Sequence, residues 1–416
     1  DGRVAKWVAS THAAWLRPAQ AAVGIAWAMG RALAAAGGHL ASSRAGLAWL
    51  GAAVARRQLR DAAETDRAPL PDDVRVLLQR ADAPVPARGA RALVVAETIR
   101  GWRQTRRGGP VIVVGDRGAR REQVITELAT DEPIVRLAVP YGVRDQDAVV
   151  AWLARALDVP GVATPDAIAD ALVRRPPTVF VLEDLHHTVL RAVGGFDAAR
   201  AVINLMHNTC EEHFWVCTCH DAMWSFLVGA RSSVPVQVFR EVFLVHAMSA
   251  NDLAAWVPRV AKGAGFDVTY HGLRAGRPGD ARAADREQAA YWRLLAEASQ
   301  GNPGVALHFF VDSLAPGSGD HTVDVGVFTA PSTRDLDGLT DDELFVLAAL
   351  CIHDGLAVDD LARVLNVTTG AAASACRRLE LLGVLDSDDA GQWYHTATRW
   401  QPAVRRVLRQ MSFLQS

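Results

Sequence analysis

Residues 110–122 of this 416-residue chain read Pro-Val-Ile-Val-Val-Gly-Asp-Arg-Gly-Ala-Arg-Arg-Glu, an apolar strand running into a loop. Loops of the pattern GxxGxGK[ST] after a strand use glycines to bring backbone N–H groups around phosphates, a lysine to reach the terminal phosphates and a hydroxyl to hold magnesium. In that register Gly115 and Gly118 fill the first two glycine positions. Arg120 stands at the third, Arg121 at the lysine and Glu122 at the hydroxyl. Arg121 can still meet a phosphate, although a planar guanidinium copies a compact ammonium poorly. A carboxylate at position 122 repels phosphate oxygens. A glycine pair after an apolar run also occurs in ordinary turns, so the rest of the chain must decide.

The second chemical feature is Thr178-Val-Phe-Val-Leu-Glu-Asp-Leu-His-His187. A buried strand ending in two acids places one carboxylate near a magnesium ion and the other near an attacking water, as nucleotide hydrolysis requires. Glu183 and Asp184 hold those positions. The bland alternative is a core strand capped by acids at a solvent-exposed turn. Cys210, His213, Cys217, Cys219 and His220 do not have the spacing of a standard zinc finger, and Cys217 and Cys219 share one face of a strand as small core residues do, so no metal site is expected. His186 and His187 read as loop residues near the acids rather than as ligands.

These residues are set by alternating elements: strands near 110–114, 133–139, 178–183, 214–219 and 236–244, and helices near 117–130, 145–157, 165–174 and 196–209. Such alternation predicts an α/β fold with a parallel sheet covered on both faces, and ligands at the carboxyl ends of its strands. Residues 88–248 form this unit. Residues 249–315 turn helical. Proline-rich stretches at 61–87 and glycine- and proline-rich ones at 316–338 predict linkers. Residues 339–416 predict three helices, near 341–352, 357–365 and 369–382, followed by a hairpin, which is the order of a winged helix.

The strand, loop and acid order resembles the AAA+ and STAND class of P-loop ATPases, in which a strand ending in Glu-Asp-Leu-His is a recurrent acidic motif. Phe214-Trp-Val-Cys-Thr-Cys-His220 is similar to the strand carrying their polar sensor, with Thr218 or Cys219 in that role. Gln300-Gly-Asn-Pro-Gly-Val-Ala306 resembles the element that opens their lid helix, and Arg240 stands as a weak counterpart of an arginine finger. The resemblance covers roughly 88–400 and implies a P-loop sheet, a helical lid and a winged helix. It departs at Arg120, Arg121 and Glu122, so ATP hydrolysis is not expected, while ATP or ADP binding by the remnant loop of Gly115, Gly118, Arg120 and Arg121 stays open.

Composition bounds the rest. Lys and Arg total 44 against 46 Asp and Glu, half the residues are apolar, and the five cysteines show no disulfide framework, as in a reducing cytoplasm. Arginine far outnumbers lysine, as GC-rich bacterial coding produces. The chain opens on Asp1, as a fragment or processed chain would. Residues 1–60 carry eight basic residues against Asp1 alone, with Trp7, Trp15, Trp27 and Trp49. They predict helices that dock on a protein partner or on the cytoplasmic face of a membrane. From Leu339 onward seven arginines face ten acids with no lysine, which disfavours DNA because duplex binding depends on phosphate neutralisation. The expectation is a catalytically impaired AAA+/STAND-like scaffold within a larger assembly. A nucleotide-binding switch and a winged-helix DNA-binding regulator are the alternatives, and the oligomeric state is open.

Overall fold

A computed structural model describes residues 68–414 apart from 82, 129, 130, 160, 162, 163, 230–233, 274–280 and 389. The basic segment 1–60 lies outside the described residues. Among those described, no helix is long and apolar enough to cross a membrane.

Helices α1 (Asp72–Arg80) and α2 (Pro86–Thr105) precede a five-stranded sheet. Its strands are β1 (Val111–Gly115), β2 (Ile134–Ala138), β3 (Val179–Glu183), β4 (Phe214–His220) and β5 (Glu241–Leu244). They pair in the order β2-β3-β4-β1-β5, all parallel. The connections carry α3 (Arg121–Thr126), α4 (Gln146–Ala156), α5 (Pro165–Val173), α6 (Asp197–Asn208) and α7 (Asp221–Gly229). The central strands are apolar except toward their carboxyl ends, at Glu183, Thr218 and His220, because both faces are covered. Val111 and Val113 pack with Ile99 and Trp102 of α2, while Ile112 and Val114 join the core built with α4 to α7. The expected α/β sheet of P-loop type is therefore present. Its order puts β4 between β1 and β3, so the glycine loop and the acids emerge at the same sheet edge on either side of Thr218.

The next unit contains α8 (Ala250–Gly263), α9 (Ala281–Ala298) and α10 (Pro303–Asp312), with a small sheet of β6 (Asp267–Thr269), β7 (Leu314–Pro316) and β8 (Thr322–Val325) in the order β6-β8-β7. This corrects two expectations. The segment 316–338 is no linker at its start, because Val323, Val325 and Phe328 are buried in this unit's core. In the segment 61–87, Leu70, Leu78 and Val85 are buried in the same core, and the Trp256 Nε1–H donates to the Ala83 carbonyl at 2.8 Å. Proline and glycine marked turns between short elements there. Their apolar residues alternate too briefly to be separated from loop composition.

The C-terminal unit runs α11 (Asp341–His353), β9 (Leu356–Ala357), α12 (Val358–Leu365), α13 (Thr369–Leu381), β10 (Leu385–Ser387), β11 (Trp393–Thr396) and α14 (Gln401–Gln410). Its sheet is antiparallel, in the order β10-β11-β9, and the hairpin β10-β11 follows three helices. Thr340 and Glu343 form a capping box at the start of α11. The core of this unit is continuous with one face of the parallel sheet: Leu347 and Leu350 share a cluster with Cys219, Met223 and Leu227. The two units are fused along α7 and α11.

His353, at the end of α11, is wholly buried at this seam. One ring nitrogen lies 2.8 Å from the Ala349 carbonyl and the other accepts from the Arg191 backbone N–H at 3.0 Å, a pair of bonds that only the neutral ring can make. Burial lowers its pKa to about 3, and that of His186 likewise to about 3. The unfolded imidazole titrates near ~6.5, so below that pH the unfolded chain binds more protons and stability falls until about pH 3. We expect unfolding by urea to show stability falling between pH 7.5 and 5.5, with each of the two residues contributing up to about 1.4 kcal/mol per pH unit. His353→Gln, which can still accept from Arg191 without titrating, should flatten this slope. A slope unchanged in that variant would contradict the neutral assignment.

Candidate functional site

The loop after β1 turns on two residues with positive φ, Gly118 and Arg120. Gly118 has φ +76°, and a Cβ there would lie 2.9 Å from Asn302 Oδ1, so the position needs glycine for both its dihedral and its neighbour. Arg120, at the third glycine position, also lies in the left-handed region with φ 61°. The backbone thus retains a conformation that suits glycine while carrying an arginine, at a cost of about 1–2 kcal/mol. Arg120 caps α3 without a side-chain cap bond, and Glu122 is exposed in the first turn of that helix.

Arg121, at the lysine position, points into the site but is occupied by the protein itself. Its Nη1–H donates to the Gly115 carbonyl at 3.1 Å, and Nη2 lies 2.7 Å from Asp184 Oδ1 and 3.7 Å from Asp354 Oδ2. Burial works against its charge, and the carboxylates of Asp184 and Asp354 reverse that effect and raise its pKa. Asp184, in a left-handed backbone turn, has its N–H bonded to Thr218 Oγ1 at 2.8 Å. The sensor-like residue therefore positions the second acid from the intervening strand. Burial raises the Asp184 carboxyl and Arg121 more than offsets it, leaving it below the usual range. Glu183 turns elsewhere, 3.6 Å from Arg136 on β2. The structure thus brings Gly115, Gly118, Arg121, Asp184 and Thr218 together and leaves Glu183 outside this cluster.

The centre of the cluster is a residue that sequence reading passed over. Asp354 caps α11 in the left-handed region with φ 60°, and its following Gly355, at φ +117°, leaves room for Trp393, whose Nε1 would lie 2.7 Å from a Cβ. This turn projects the carboxylate into the glycine loop. Arg117 Nε lies 2.9 Å from Asp354 Oδ1, and Arg117 Nη2–H donates to the Asp354 carbonyl at 3.0 Å. His186 Nε2 approaches Oδ2 at 3.6 Å and His220 Nε2 approaches Oδ1 at 3.9 Å. Burial pushes the Asp354 carboxyl up, but the His220 and His186 rings and the Arg117 guanidinium around it, of which Arg117 is the one charged at neutral pH, hold it well below the usual carboxylate range. Since burial depresses both imidazoles, they are neutral at neutral pH. The guanidiniums of Arg117 and Arg121 then supply the compensating charge. In sequence, Asp354 was one acid among ten; its only local signal was an Asp-Gly pair at the end of a helix, which marks a turn and not a site.

Two further contacts close the same edge. The Asn302 Nδ2–H donates to the Arg117 carbonyl at 2.7 Å and the Gly304 N–H to the Gly118 carbonyl at 3.0 Å, so the start of α10 sits directly on the loop. This is the Gly-Asn-Pro element singled out from the sequence. Arg405 of α14 pairs with Asp116 and, at 2.9 Å, with Asp221. The space left beside the loop is a cavity of about 30 Å³ lined by Asp116, Arg117, His220 and Asp354, and a second of about 190 Å³ between Asp116, Asn302 and Arg405. Both are below the ~300 Å³ at which small-molecule sites begin.

His186 and His187, expected in a loop near the acids, are buried in a short turn over Leu185–Thr188 beside Asp184. His187 Nδ1 lies 2.9 Å from the Val139 carbonyl, and its ring meets Tyr141, which in turn meets Trp393 of β11. Arg144 was also missed. It is buried, donates to the carbonyls of His187 and Val189 at 2.6 and 2.5 Å, and approaches Asp360 of α12 at 3.7 Å. Arg240 does not follow the fifth strand. It precedes β5, with Nη1 3.3 Å from the Arg107 carbonyl, at the opposite edge of the sheet from the loop. Cys217 and Cys219 lie in the core, burial raising the Cys219 thiol to about 12, and all five cysteines are free. Among the described residues no group of three His, Cys, Asp or Glu is arranged to hold a metal ion.

No family profile matches the chain, and no curated protein matches its sequence. Among solved structures it is similar to the Aeropyrum pernix ORC2 protein in ADPNP–ADP complexes, at 11% identity and a TM-score of 0.36 over 77% of this chain and 93% of that one. It is similar to Cdc6p from Pyrobaculum aerophilum, at 13% identity and a TM-score of 0.37 over 82% and 99%. It is also similar to a signal transduction ATPase with numerous domains (STAND) from Pyrococcus horikoshii bearing a tetratricopeptide repeat sensor, at 11% identity and a TM-score of 0.31 over 76% and 44%. Likeness at this level identifies neither a family nor an activity. The sheet order, and the loop and acid that flank its central strand, define the α/β fold of this chain on their own.

Proposed function

We propose that this chain is a catalytically impaired P-loop-type module, locked in a closed arrangement without nucleotide, that serves as a structural or regulatory scaffold in a larger assembly. The observation that carries this reading is Asp354. An anion from the C-terminal unit occupies the cation cluster that a phosphate would need, and it does so with Arg117, Arg121 and the loop already bonded. A carboxylate is a chemically sensible stand-in, since guanidinium groups recognise carboxylate and phosphate oxygens alike. Hydrolysis has further obstacles. Glu183 faces Arg136, Asp184 is held by Arg121, and no hydroxyl stands at position 122 to share a magnesium ion.

A protein partner is the expected target, with the basic segment 1–60 as its docking element and peripheral membrane attachment as the alternative. DNA fits less well. The exposed residues of α13 are Thr369, Gly370, Ala371, Ser374, Arg377, Arg378 and Leu381, and Arg378 is already paired with Glu343 at 3.3 Å. A helix offering so few free cations has little with which to neutralise phosphates.

Calorimetry of the purified chain with ATP and ADP, with and without magnesium, is expected to show no binding. Magnesium-dependent hydrolysis that is lost in Glu183→Gln and Asp184→Asn would refute the scaffold, and micromolar binding without turnover would make the protein a nucleotide switch. The role of Asp354 has its own test. Restoring the motif by Arg120→Gly, Arg121→Lys and Glu122→Thr should leave the chain unable to bind MgATP while Asp354 is present, and adding Asp354→Ala should allow binding. If the triple variant alone binds as well as the quadruple one, self-occupancy is not what closes the site. Asp354→Ala in the otherwise native chain leaves Arg117 without its acid and should cost about 3–5 kcal/mol in urea unfolding. Pyrophosphate should restore part of this loss and leave the native chain unaffected. A loss below about 1 kcal/mol would mean that the pairs are solvated and weak.

A further inference from the structure

A cleft whose chemistry the nucleotide-like site does not use lies on the C-terminal unit. It has a volume of about 560 Å³ and opens between α11, the end of α12 and the start of α13. Small-molecule sites typically fall between about 300 and 1,000 Å³ and combine an apolar lining with few polar groups. The cleft follows from sequence. The first turns of α13 read Thr-Gly-Ala-Ala-Ala-Ser-Ala over residues 369–375, so no side chain longer than serine or threonine fills the space facing α11. Val346, Val364 and Leu365 form apolar walls, and Ala371 and Ala375 form the side belonging to α13.

The polar groups at this cleft are Arg191, Arg378, Ser374 and Asp342. Arg378 is consumed by Glu343, which itself caps α11. Arg191 differs. It is half-buried, reaching the cleft from the segment after β3 that is pinned by its backbone bond to His353, and no carboxylate of the described residues lies within 4 Å of its guanidinium. Burial lowers its pKa with no acid to offset the effect. A partly desolvated cation beside an apolar cleft is costly unless an anion arrives. Its fork of donors matches a carboxylate.

We propose that this cleft binds a small amphiphilic carboxylic acid, its chain or ring lying against Val346, Val364 and Leu365 and its carboxylate paired with Arg191. The compact lining suits a small molecule better than a protein segment, which would need roughly 800 Å² of surface from each partner. Because Arg191 is held next to His353 at the seam between the two units, the site reports on the same closed arrangement without sharing residues with the glycine loop.

The test is calorimetric titration of the full chain with decanoate, and with decan-1-ol as its uncharged counterpart. Wild-type protein is expected to bind decanoate more tightly than decanol. Arg191→Gln should weaken decanoate binding on the order of ten-fold, the usual range for a lost charge-assisted hydrogen bond, and leave decanol unchanged. Ala371→Leu, an exposed position on α13 where leucine keeps good helix propensity, should remove binding of both by filling the cleft. Its folding is checked by the thermal unfolding profile. Absence of decanoate binding to wild type, or equal decanoate affinity in wild type and Arg191→Gln, overturns the proposal. Equal affinities of wild type for decanoate and decanol overturn it as well and point to an apolar side chain of a protein partner as the occupant.

Discussion

One buried carboxylate organises this molecule. Asp354 lies at a seam where the glycine loop, the acid turn after β3, the end of β4 and the C-terminal unit converge. Buried charges are tolerated only with partners, and losing one partner of such a pair is far more damaging than the pair is favourable. Arg117 and Arg121 cannot be left without an anion at this depth, and Asp354 cannot be left without cations. The arrangement is stable as a set and unstable in any of its parts, so the position of the C-terminal unit is tied to the state of the loop.

The surrounding contacts are consistent with that constraint. Arg144 links backbone carbonyls after β3 to Asp360 of α12, Arg405 links α14 to Asp116 and Asp221, and Asn302 links the start of α10 to the loop. Each is a polar bridge across a boundary between units. Beneath them the apolar core is continuous from the parallel sheet into α11. Hydrophobic burial supplies most of the attraction and has no direction, whereas these bridges fix the register in which the units meet. At the glycine loop, the side chains of Asn302, Arg117 and Arg405 perform that registering task.

Much of this architecture was legible from residue types. The run Val-Ile-Val-Val before Gly115 and the fully apolar Val-Phe-Val-Leu before Glu183 specify buried parallel strands, because only strands covered on both faces dispense with alternation. Gly118 was legible as a turn residue, whereas the left-handed backbone of Arg120 was not, because arginine does not announce that conformation. Less legible were 70–85 and 322–328, whose short apolar residues pack into a neighbouring core although their prolines and glycines suggest linkers. Arg240 was misplaced because a strand boundary shifted by a few residues moves a side chain from one edge of a sheet to the other.

The sequence by itself determined a parallel sheet whose first strand runs into a glycine-bearing loop, an acid pair at the end of β3 and a C-terminal run of three helices and a hairpin. These depend on local periodicity, turn chemistry and motif spacing, all of which act over a few residues. Only the tertiary structure decided that an acid of the C-terminal unit lies against that loop. Asp354 stands 233 positions beyond Arg121 in the chain, and no local rule distinguishes it from the other acids of its unit. Its role arises because a helix end with a left-handed turn is packed, through apolar surface elsewhere, against two guanidiniums that need an anion. Charge compensation of this kind depends on distance in space and on exclusion of water, and neither is encoded in the spacing of residues along the chain.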